Sequence, residues 1–181
     1  MKKILAMAVI TASLVMGLSA SQQASAAPYC GISWGSLPKT ASDTSTTAES
    51  LINVRTGRHD CYDRMVIDTT APGTGYNVRY VSNVYADGSG QLIPLTNSGA
   101  KLQVVAQAPS YNPATGTPTY GGVTGSPLPG VTLAGYQTFR EAKFAGSFEG
   151  QTTVALGVRA QLPFRVMKQD NHVIIDVAHK W

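Results

Sequence analysis

The chain has 181 residues, a formal net charge of +4 and only 13% Asp, Glu, Lys and Arg. Its length allows one domain with a buried core, and the absence of any Lys/Arg cluster argues against nucleic acid as a partner. The 18 Gly and 10 Pro residues favour short strands joined by turns over helices.

The first 26 residues have the form of a Sec signal peptide. Lys2 and Lys3 give a positive start, residues 4–18 are an uncharged apolar run, and Ala24-Ser25-Ala26 has the small-x-small pattern that signal peptidase recognises. The apolar run is short for crossing about 30 Å of hydrocarbon, which disfavours the alternative of a retained membrane anchor. We therefore expect a secreted protein, extracellular or cell-wall associated, with no membrane contact after cleavage.

The chain has two cysteines, Cys30 and Cys61, and both follow the predicted cleavage site. An even count in an exported protein indicates a disulfide, and two cysteines leave one possible pairing. The alternative is a reactive or metal-binding thiol, but neither cysteine lies in a CxxC motif. We expect residues 27–50 to form a tethered leader and flexible linker before a domain of residues 51–181.

Alternation of apolar and polar residues with a period of two predicts half-buried strands through most of the chain. Turn sequences such as Asp87-Gly88-Ser89-Gly90 separate the runs. The predicted strands are 51–55, 61–69, 76–85, 91–95, 101–107, 136–144, 152–159, 163–168 and 172–178. We therefore predict an all-β fold, a single β-sandwich of about eight or nine mostly antiparallel strands. Residues 110–135, rich in Pro, Gly and Thr, predict one long loop.

The densest polar cluster is residues 57–64, at the entry to the second strand. A turn here is able to bring His59, Asp60 and Asp63 together as metal ligands or acid/base groups. The alternative, which we favour, is a structural turn in which Asp60 or Asp63 accepts backbone N–H bonds and pairs with Arg58 or Arg64. We accordingly assign no catalytic residue, no metal and no cofactor.

Three arginines, Arg79, Arg159 and Arg165, fall opposite the apolar positions of their strands, so they are expected to face out of the core and to form one polar face. The guanidinium group is a rigid fork that suits carboxylates, which peptide and glycan ligands often carry. The alternative is an ordinary solvated surface. Together with the turn, these arginines give the candidate ligand-binding residues His59, Asp60, Asp63, Arg64, Arg79, Arg159 and Arg165.

Several longer motifs occur together in one order along the chain. They are His59-Asp60-x-Tyr62-Asp63-Arg64, Tyr76-x-Val78-Arg79-Tyr80-Val81, Thr153-Val154-x-Leu156-Gly157-Val158-Arg159 and Val173-Ile174-Ile175-Asp176-Val177-Ala178-His179. As a set they resemble the AMIN-like domain of secreted actinobacterial proteins, over about residues 29–179. The resemblance implies a fold related to the AMIN domain, a β-sandwich that targets amidases and secretins to the cell envelope by binding peptidoglycan.

The resemblance leads us to expect a non-enzymatic cell-envelope protein that binds peptidoglycan or another cell-wall glycan or peptide. One alternative is a secreted hydrolase that acts on cell-wall material through His59, Asp60 and Asp63. A second alternative is a protein–protein interaction module of the envelope that uses residues 110–135 as its contact loop.

The signal peptide can be tested on the protein produced with its own leader in an exporting cell. Cleavage after Ala26 predicts that the exported form begins at Ala27, which intact-mass measurement and N-terminal sequencing will show. Ala26→Arg, too large for the position before the cut, should leave the precursor uncut. A wild-type chain that keeps residues 1–26 and stays with the membranes would contradict the prediction.

Overall fold

The computed structural model describes residues 29–45 and 47–181, so the predicted signal peptide lies outside the described residues. After a 3-10 turn at Tyr29–Gly31 come eleven strands: β1 Lys39–Ala41, β2 Leu51–Arg58, β3 Tyr62–Thr69, β4 Tyr76–Val81, β5 Val84–Tyr85, β6 Leu92–Ile93, β7 Ala100–Ala106, β8 Phe139–Phe148, β9 Gln151–Val158, β10 Phe164–Gln169 and β11 His172–Ala178. Within these described residues there is no α-helix, and no helix long and apolar enough to cross a membrane.

Two antiparallel sheets pack face to face, which confirms the prediction of an all-β sandwich. One sheet has the order β1-β4-β7-β9-β8 and the other β10-β11-β3-β2. Alternate residues of both sheets enter a common core, for example Val78, Leu102 and Leu156 from the first and Met65 and Ile175 from the second, all 0% exposed. Burying each large aliphatic side chain stabilises the fold by about 2 kcal/mol, so the period-two pattern is the main determinant of this architecture.

A short hairpin, β5–β6, covers part of the outer face of the five-stranded sheet. Its apolar residues, including Val84 and Ile93, form a second small core with Ala145 of β8 and Ala155 of β9. The two alanines carry small side chains, so the hairpin packs close to the sheet. The outer face of β4, β7 and β9 beside the hairpin remains open, and it is polar.

Five of the nine predicted strands agree with the structure to within one residue at each end, whereas 51–55, 91–95 and 136–144 are Leu51–Arg58, Leu92–Ile93 and Phe139–Phe148. Two further differences concern which strands form. The predicted strand 76–85 is two strands, because the chain leaves the sheet at residues 82–83 and β5 pairs with β6 instead. The segment predicted as a flexible linker contains β1, which pairs with β4 through Lys39 and Val78. A three-residue edge strand is held by its backbone pairing, so no alternation of side chains marks it.

Residues 29–45, which we call the leader strap, connect the two sheets across one open side of the sandwich. The Cys30–Cys61 disulfide, as predicted from sequence, fastens the strap to the entry of β3. Gly35 then pairs with Phe164 at the edge of the four-stranded sheet, whereas β1 joins the edge of the five-stranded sheet. The strap is therefore part of the fold rather than a tail.

Residues 107–138 contain no named strand or helix, in line with the predicted long loop. The loop packs on the sandwich through Tyr120 and Leu128, which are 9% and 3% exposed and belong to the main core. The hydroxyl of Thr119 also donates a 2.6 Å hydrogen bond to the carbonyl of Leu51. The end of this loop approaches the turn that carries Cys61.

Removing the disulfide should destabilise the protein without changing its fold. The bond closes a 31-residue separation, and in the chain-entropy model a loop of this length contributes about 3 to 4 kcal/mol. We expect this loss of unfolding free energy for Cys30→Ser combined with Cys61→Ser, measured by urea denaturation. Reduced wild-type protein is the matched control and should lose a similar amount. Equal stability of the oxidised and double-serine forms would contradict a stabilising role for the disulfide.

Candidate functional site

A cleft of about 450 Å³ lies at one end of the sandwich, where β2, β3, β11 and the long loop meet. We call it the His59 cleft. Its lining residues are Arg58, His59, Asp60, Asp63, Gly135, Gln137 and His179. Three of them, His59, Asp60 and Asp63, are among the residues singled out from sequence.

The outer wall of the cleft is the turn between β2 and β3. The backbone N–H of His59 donates a 3.0 Å hydrogen bond to the carbonyl of Tyr62, and the disulfide at Cys61 fixes the centre of the turn. The His59 ring stacks on the Tyr62 ring at a centroid distance of 4.5 Å. His59 and Asp60 are both exposed, so the turn presents them to solvent on a rigid base.

Asp63, at the base of the cleft, is 0% exposed, and both of its carboxylate oxygens contact protein atoms. Its Oδ2 accepts hydrogen bonds from the backbone N–H groups of Thr138 (2.5 Å) and Phe139 (3.0 Å). Its Oδ1 lies 3.1 Å from Nε2 of His179. These contacts match the structural reading of the turn, in which a carboxylate accepts backbone N–H bonds. In the described part of the chain neither Arg58 nor Arg64 forms an ion pair with Asp63, and Arg64 contacts Asp176 instead.

His179 follows β11 and is 7% exposed. One ring nitrogen faces Asp63, and the other, Nδ1, lies 3.2 Å from the backbone carbonyl oxygen of Asp60. Since both nitrogens are placed against protein oxygens, neither is free to contact a bound molecule. The Asp63–His179 pair therefore holds the cleft together.

Beside the cleft, Arg64 and Arg165 converge on a single buried carboxylate. Arg64 contacts Asp176 through two nitrogens at 2.6 and 2.9 Å, and Arg165 contacts it at 2.8 Å. Asp176 is 0% exposed, and hydrogen bonding to it raises the pKa of Arg64 above its ordinary value. The Arg165 guanidinium also lies over the rings of Trp34 and Tyr62, at 5.5 and 5.4 Å. Arg64 thus links β3 to β11, whereas Arg165 links β10 to β11 and also contacts Trp34 of the leader strap.

The prediction of one polar face shared by Arg79, Arg159 and Arg165 is wrong. Arg79 lies on the outer face of the five-stranded sheet and Arg165 on that of the four-stranded sheet, and these faces point in opposite directions. Arg159 follows β9 and donates hydrogen bonds to the backbone carbonyls of Gln137 and His179, two residues that line the cleft. The alternation correctly placed all three outside the core, but it carries no information on which sheet a strand joins.

Sequence reasoning missed Arg58, Gly135 and Gln137 as lining residues and did not connect His179 with Asp63. Arg58 is in the same polar cluster as His59, and its charge within that cluster was the one sequence feature that indicated a place at the cleft. Gly135 has φ +78°, and a Cβ there would lie 2.8 Å from the Arg58 guanidinium, so glycine lets the loop approach the cleft. His179 and Asp63 are 116 residues apart, and no local pattern joins them.

The chemistry open to the cleft follows from which groups remain free. In residues 29–45 and 47–181, no three His, Cys, Asp or Glu side chains are grouped so as to hold a metal ion. Arg58, His59 and Asp60 are exposed at its rim, and Gln137 adds an exposed amide. The arrangement is suited to hydrogen bonding and charge pairing with a polar ligand.

Asp63→Asn should destabilise the protein by about 3 kcal/mol, because it removes the charge that two backbone N–H groups and His179 surround. Asp60→Asn is the matched control, since Asp60 is exposed and should change the unfolding free energy by less than about 0.5 kcal/mol. Thermal and urea denaturation of the two variants will separate them. Similar stability of both would show that the buried pair is dispensable.

Comparison with known proteins supports the family that the sequence motifs resemble. The family model of the AMIN-like domain matches residues 49–179, which include every strand from β2 to β11. No curated protein and no solved structure matches the chain. The domain suggests a cell-wall-related binding module, and the disulfide is consistent with an extracellular location. Since the matched residues cover most of its length, the chain belongs to the AMIN-like domain family.

Proposed function

We propose that the protein is an exported, non-enzymatic module of the cell envelope that binds peptidoglycan through the His59 cleft. Three observations support an envelope location: the signal-like first 26 residues, the Cys30–Cys61 disulfide and the AMIN-like domain. None of them identifies the surface that binds the ligand. We assign that role to the His59 cleft, because it brings together residues from both ends of the domain.

The proposal rests on the contrast between the buried groups of the cleft, which contact other protein atoms, and the exposed groups at its rim, which do not. The two groups best suited to acid/base work, Asp63 and His179, are buried and each is occupied by protein atoms. The groups at the rim, Arg58 and Asp60, are exposed, and among the described residues neither side chain makes a hydrogen bond or an ion pair. A site with saturated internal groups and free rim groups is arranged for binding rather than for turnover.

The rim chemistry fits the peptide part of peptidoglycan. Arg58 and Asp60 carry opposite charges, so they complement a ligand that has both a carboxylate and an ammonium group, as stem peptides do. The exposed His59 ring and the Gln137 amide add further polar contacts. A cavity of about 450 Å³ is within the range of small-ligand sites and accommodates one or two amino-acid residues.

The experiment is retention of the purified exported protein on insoluble peptidoglycan, followed by titration with free stem peptide. Arg58→Ala should weaken binding about tenfold, the effect of losing one charge-assisted hydrogen-bonding group. Arg55→Ala is the matched control, because it removes the same charge from an exposed position where Arg55 pairs with Asp68. Thermal denaturation will confirm that both variants fold.

Two results would overturn the proposal. The first is failure of the wild-type protein to be retained, and the second is equal retention of the Arg58→Ala and Arg55→Ala variants. The same samples test the hydrolase alternative by mass spectrometry of the muropeptides. Muropeptide turnover that disappears in the His59→Ala variant would show that the protein is a hydrolase rather than a binding module.

A further inference from the structure

His179 connects the back of the His59 cleft to the turn at its rim. Its backbone N–H donates a 2.9 Å hydrogen bond to the carbonyl of Cys61 in that turn. Its ring meets the carboxylate of Asp63 through Nε2, at 3.1 Å, and the backbone carbonyl oxygen of Asp60 through Nδ1, at 3.2 Å. The His179 side chain is 6% exposed, so little water reaches either ring contact. The protonation of this ring therefore decides how the turn is held.

The hydrogen-bond partners fix the number of protons that the Asp63–His179 pair holds. A neutral imidazole donates through one ring nitrogen and accepts through the other. Both partners of this ring are acceptors, because a carbonyl oxygen carries no proton and a carboxylate that accepts two backbone N–H bonds is stabilised in its ionised form. Two hydrogen bonds therefore need two protons, one on Nδ1 and one between Nε2 and Oδ1 of Asp63. A neutral ring beside an ionised carboxylate supplies only one.

The other two histidines of the sequence lack this arrangement. The His59 ring is exposed and stacks on Tyr62. Nδ1 of His172 lies 2.8 Å from Asp68, but the contact does not have the geometry of a hydrogen bond. Within residues 29–45 and 47–181, His179 is thus the one histidine with both ring nitrogens hydrogen-bonded to protein oxygens.

Charged and titratable groups face the His179 ring from several segments. They are Asp63 of β3, Arg58 at the end of β2, His59 and Asp60 of the turn, and Arg159 after β9. Two aspartates favour a positive ring and two arginines oppose it, so these charges largely offset one another. Lys180, the next residue, lies over the Tyr29 ring. The two direct hydrogen bonds are therefore the main determinant of the protonation of the ring.

Loss of one proton changes the contact between the ring and the turn. Imidazole gains or loses a proton between about pH 5 and 8. With one proton fewer, either Nε2 or Nδ1 faces an oxygen acceptor with no hydrogen between them, and such a buried contact is unfavourable. The carboxylate of Asp63 is fixed by two backbone N–H groups, whereas Asp60 belongs to an exposed turn. The remaining proton therefore stays between the ring and Asp63, and the contact with Asp60 is lost.

We propose that His179 is a pH-sensitive clamp of the His59 cleft. While the Asp63–His179 pair holds two protons, the ring binds the carbonyl of Asp60 and holds the turn in place. When the pair releases one proton, the turn loosens and the groups at the rim lose their fixed positions. The closed form carries one proton more than the open form, so lower pH favours closure and higher pH favours opening. The Cys30–Cys61 disulfide limits the opening to the turn itself.

The clamp gives the cleft a form of regulation that its rim groups alone do not provide. A rigid rim loses less entropy when it holds a ligand, so the closed cleft binds more tightly. A protein outside the cell is exposed to the pH of its surroundings, and acidification should therefore strengthen ligand binding at the cleft. This consequence for binding rests on the proposed function, whereas the protonation of the ring and the loosening of the turn do not.

The first test follows the histidine ring nitrogens of the oxidised wild-type protein by NMR between about pH 5.5 and 8.5, a range that spans the titration of imidazole. The ring signals are assigned with His172→Gln and His179→Gln. We expect both ring nitrogens of His179 to carry protons at the lower pH and only one at the higher pH. The amide of His59, which donates to the Tyr62 carbonyl within the turn, should lose about tenfold in exchange protection over the same range, the effect of one lost hydrogen bond.

The second test measures the affinity for free stem peptide at the same two pH values. From the lower to the higher pH, wild-type affinity should fall about tenfold more than that of His179→Gln, whose side-chain amide donates to Asp63 but does not titrate. Any pH dependence that comes from the ligand or from His59 is present in both proteins and cancels. His172→Gln is the matched control, since it removes a titrating ring from outside the cleft and should respond to pH as wild type does.

A His179 ring that keeps one protonation state over the whole pH range would overturn the proposal, as would protection of the His59 amide that does not follow the ring. Both readouts come from the wild-type protein, so they do not depend on the folding of a variant. An equal pH response of ligand binding in wild type and His179→Gln would also overturn it. If the wild-type ring and amide change together but the stem peptide does not bind, the clamp is supported and the proposed function is contradicted.

Discussion

The carboxylate of Asp63 joins the two sheets of the sandwich. It belongs to β3 of the four-stranded sheet, yet its hydrogen-bond donors are the N–H groups of Thr138 and Phe139, where β8 of the five-stranded sheet begins. A buried charge is tolerated only when its surroundings supply such donors, and His179 completes them. The positions of the loop end, of β11 and of the turn at residues 58–60 all follow from this one group. The cleft exists because these segments meet around it.

A second polar junction reinforces the same end of the molecule from outside. Arg64 and Arg165 share the buried Asp176, and the rings of Trp34 and Tyr62 lie against the guanidinium groups. Because Trp34 belongs to the leader strap, the strap shields these ion pairs from water and strengthens their attraction. The disulfide and the arginine junction thus act together, and they leave the adjacent cleft with a rigid outer wall. A rigid wall lowers the entropy lost when a ligand is held.

The period-two pattern identified nine strand segments because it records which side chains are buried, and burial dominates the energy of a sandwich. The same pattern did not predict β1, since a short edge strand is held by backbone hydrogen bonds alone. It also did not predict which strands share a sheet. Arg79 and Arg165 therefore came out correctly as surface residues but were wrongly assigned to one face.

The candidate site shows the same limit. His59, Asp60 and Asp63 were recognised because they are neighbours in the chain, whereas His179 was not connected with them. Local composition thus located the part of the site that one segment provides. The remainder depends on pairings between distant segments, and the physical basis of those pairings is the packed core as a whole.

The distance along the chain between Asp63 and its partners also sets the order in which the cleft is assembled. Because a chain is synthesised from its N-terminus, Cys30 and Cys61 are able to join before the last five strands are complete. At that stage Asp63 has none of its native donors and remains hydrated. Only the arrival of Thr138, Phe139 and finally His179 allows the carboxylate to be buried. Closure of the sandwich and completion of the cleft are therefore a single late event, and a chain that stops before His179 presents the turn without the pocket behind it.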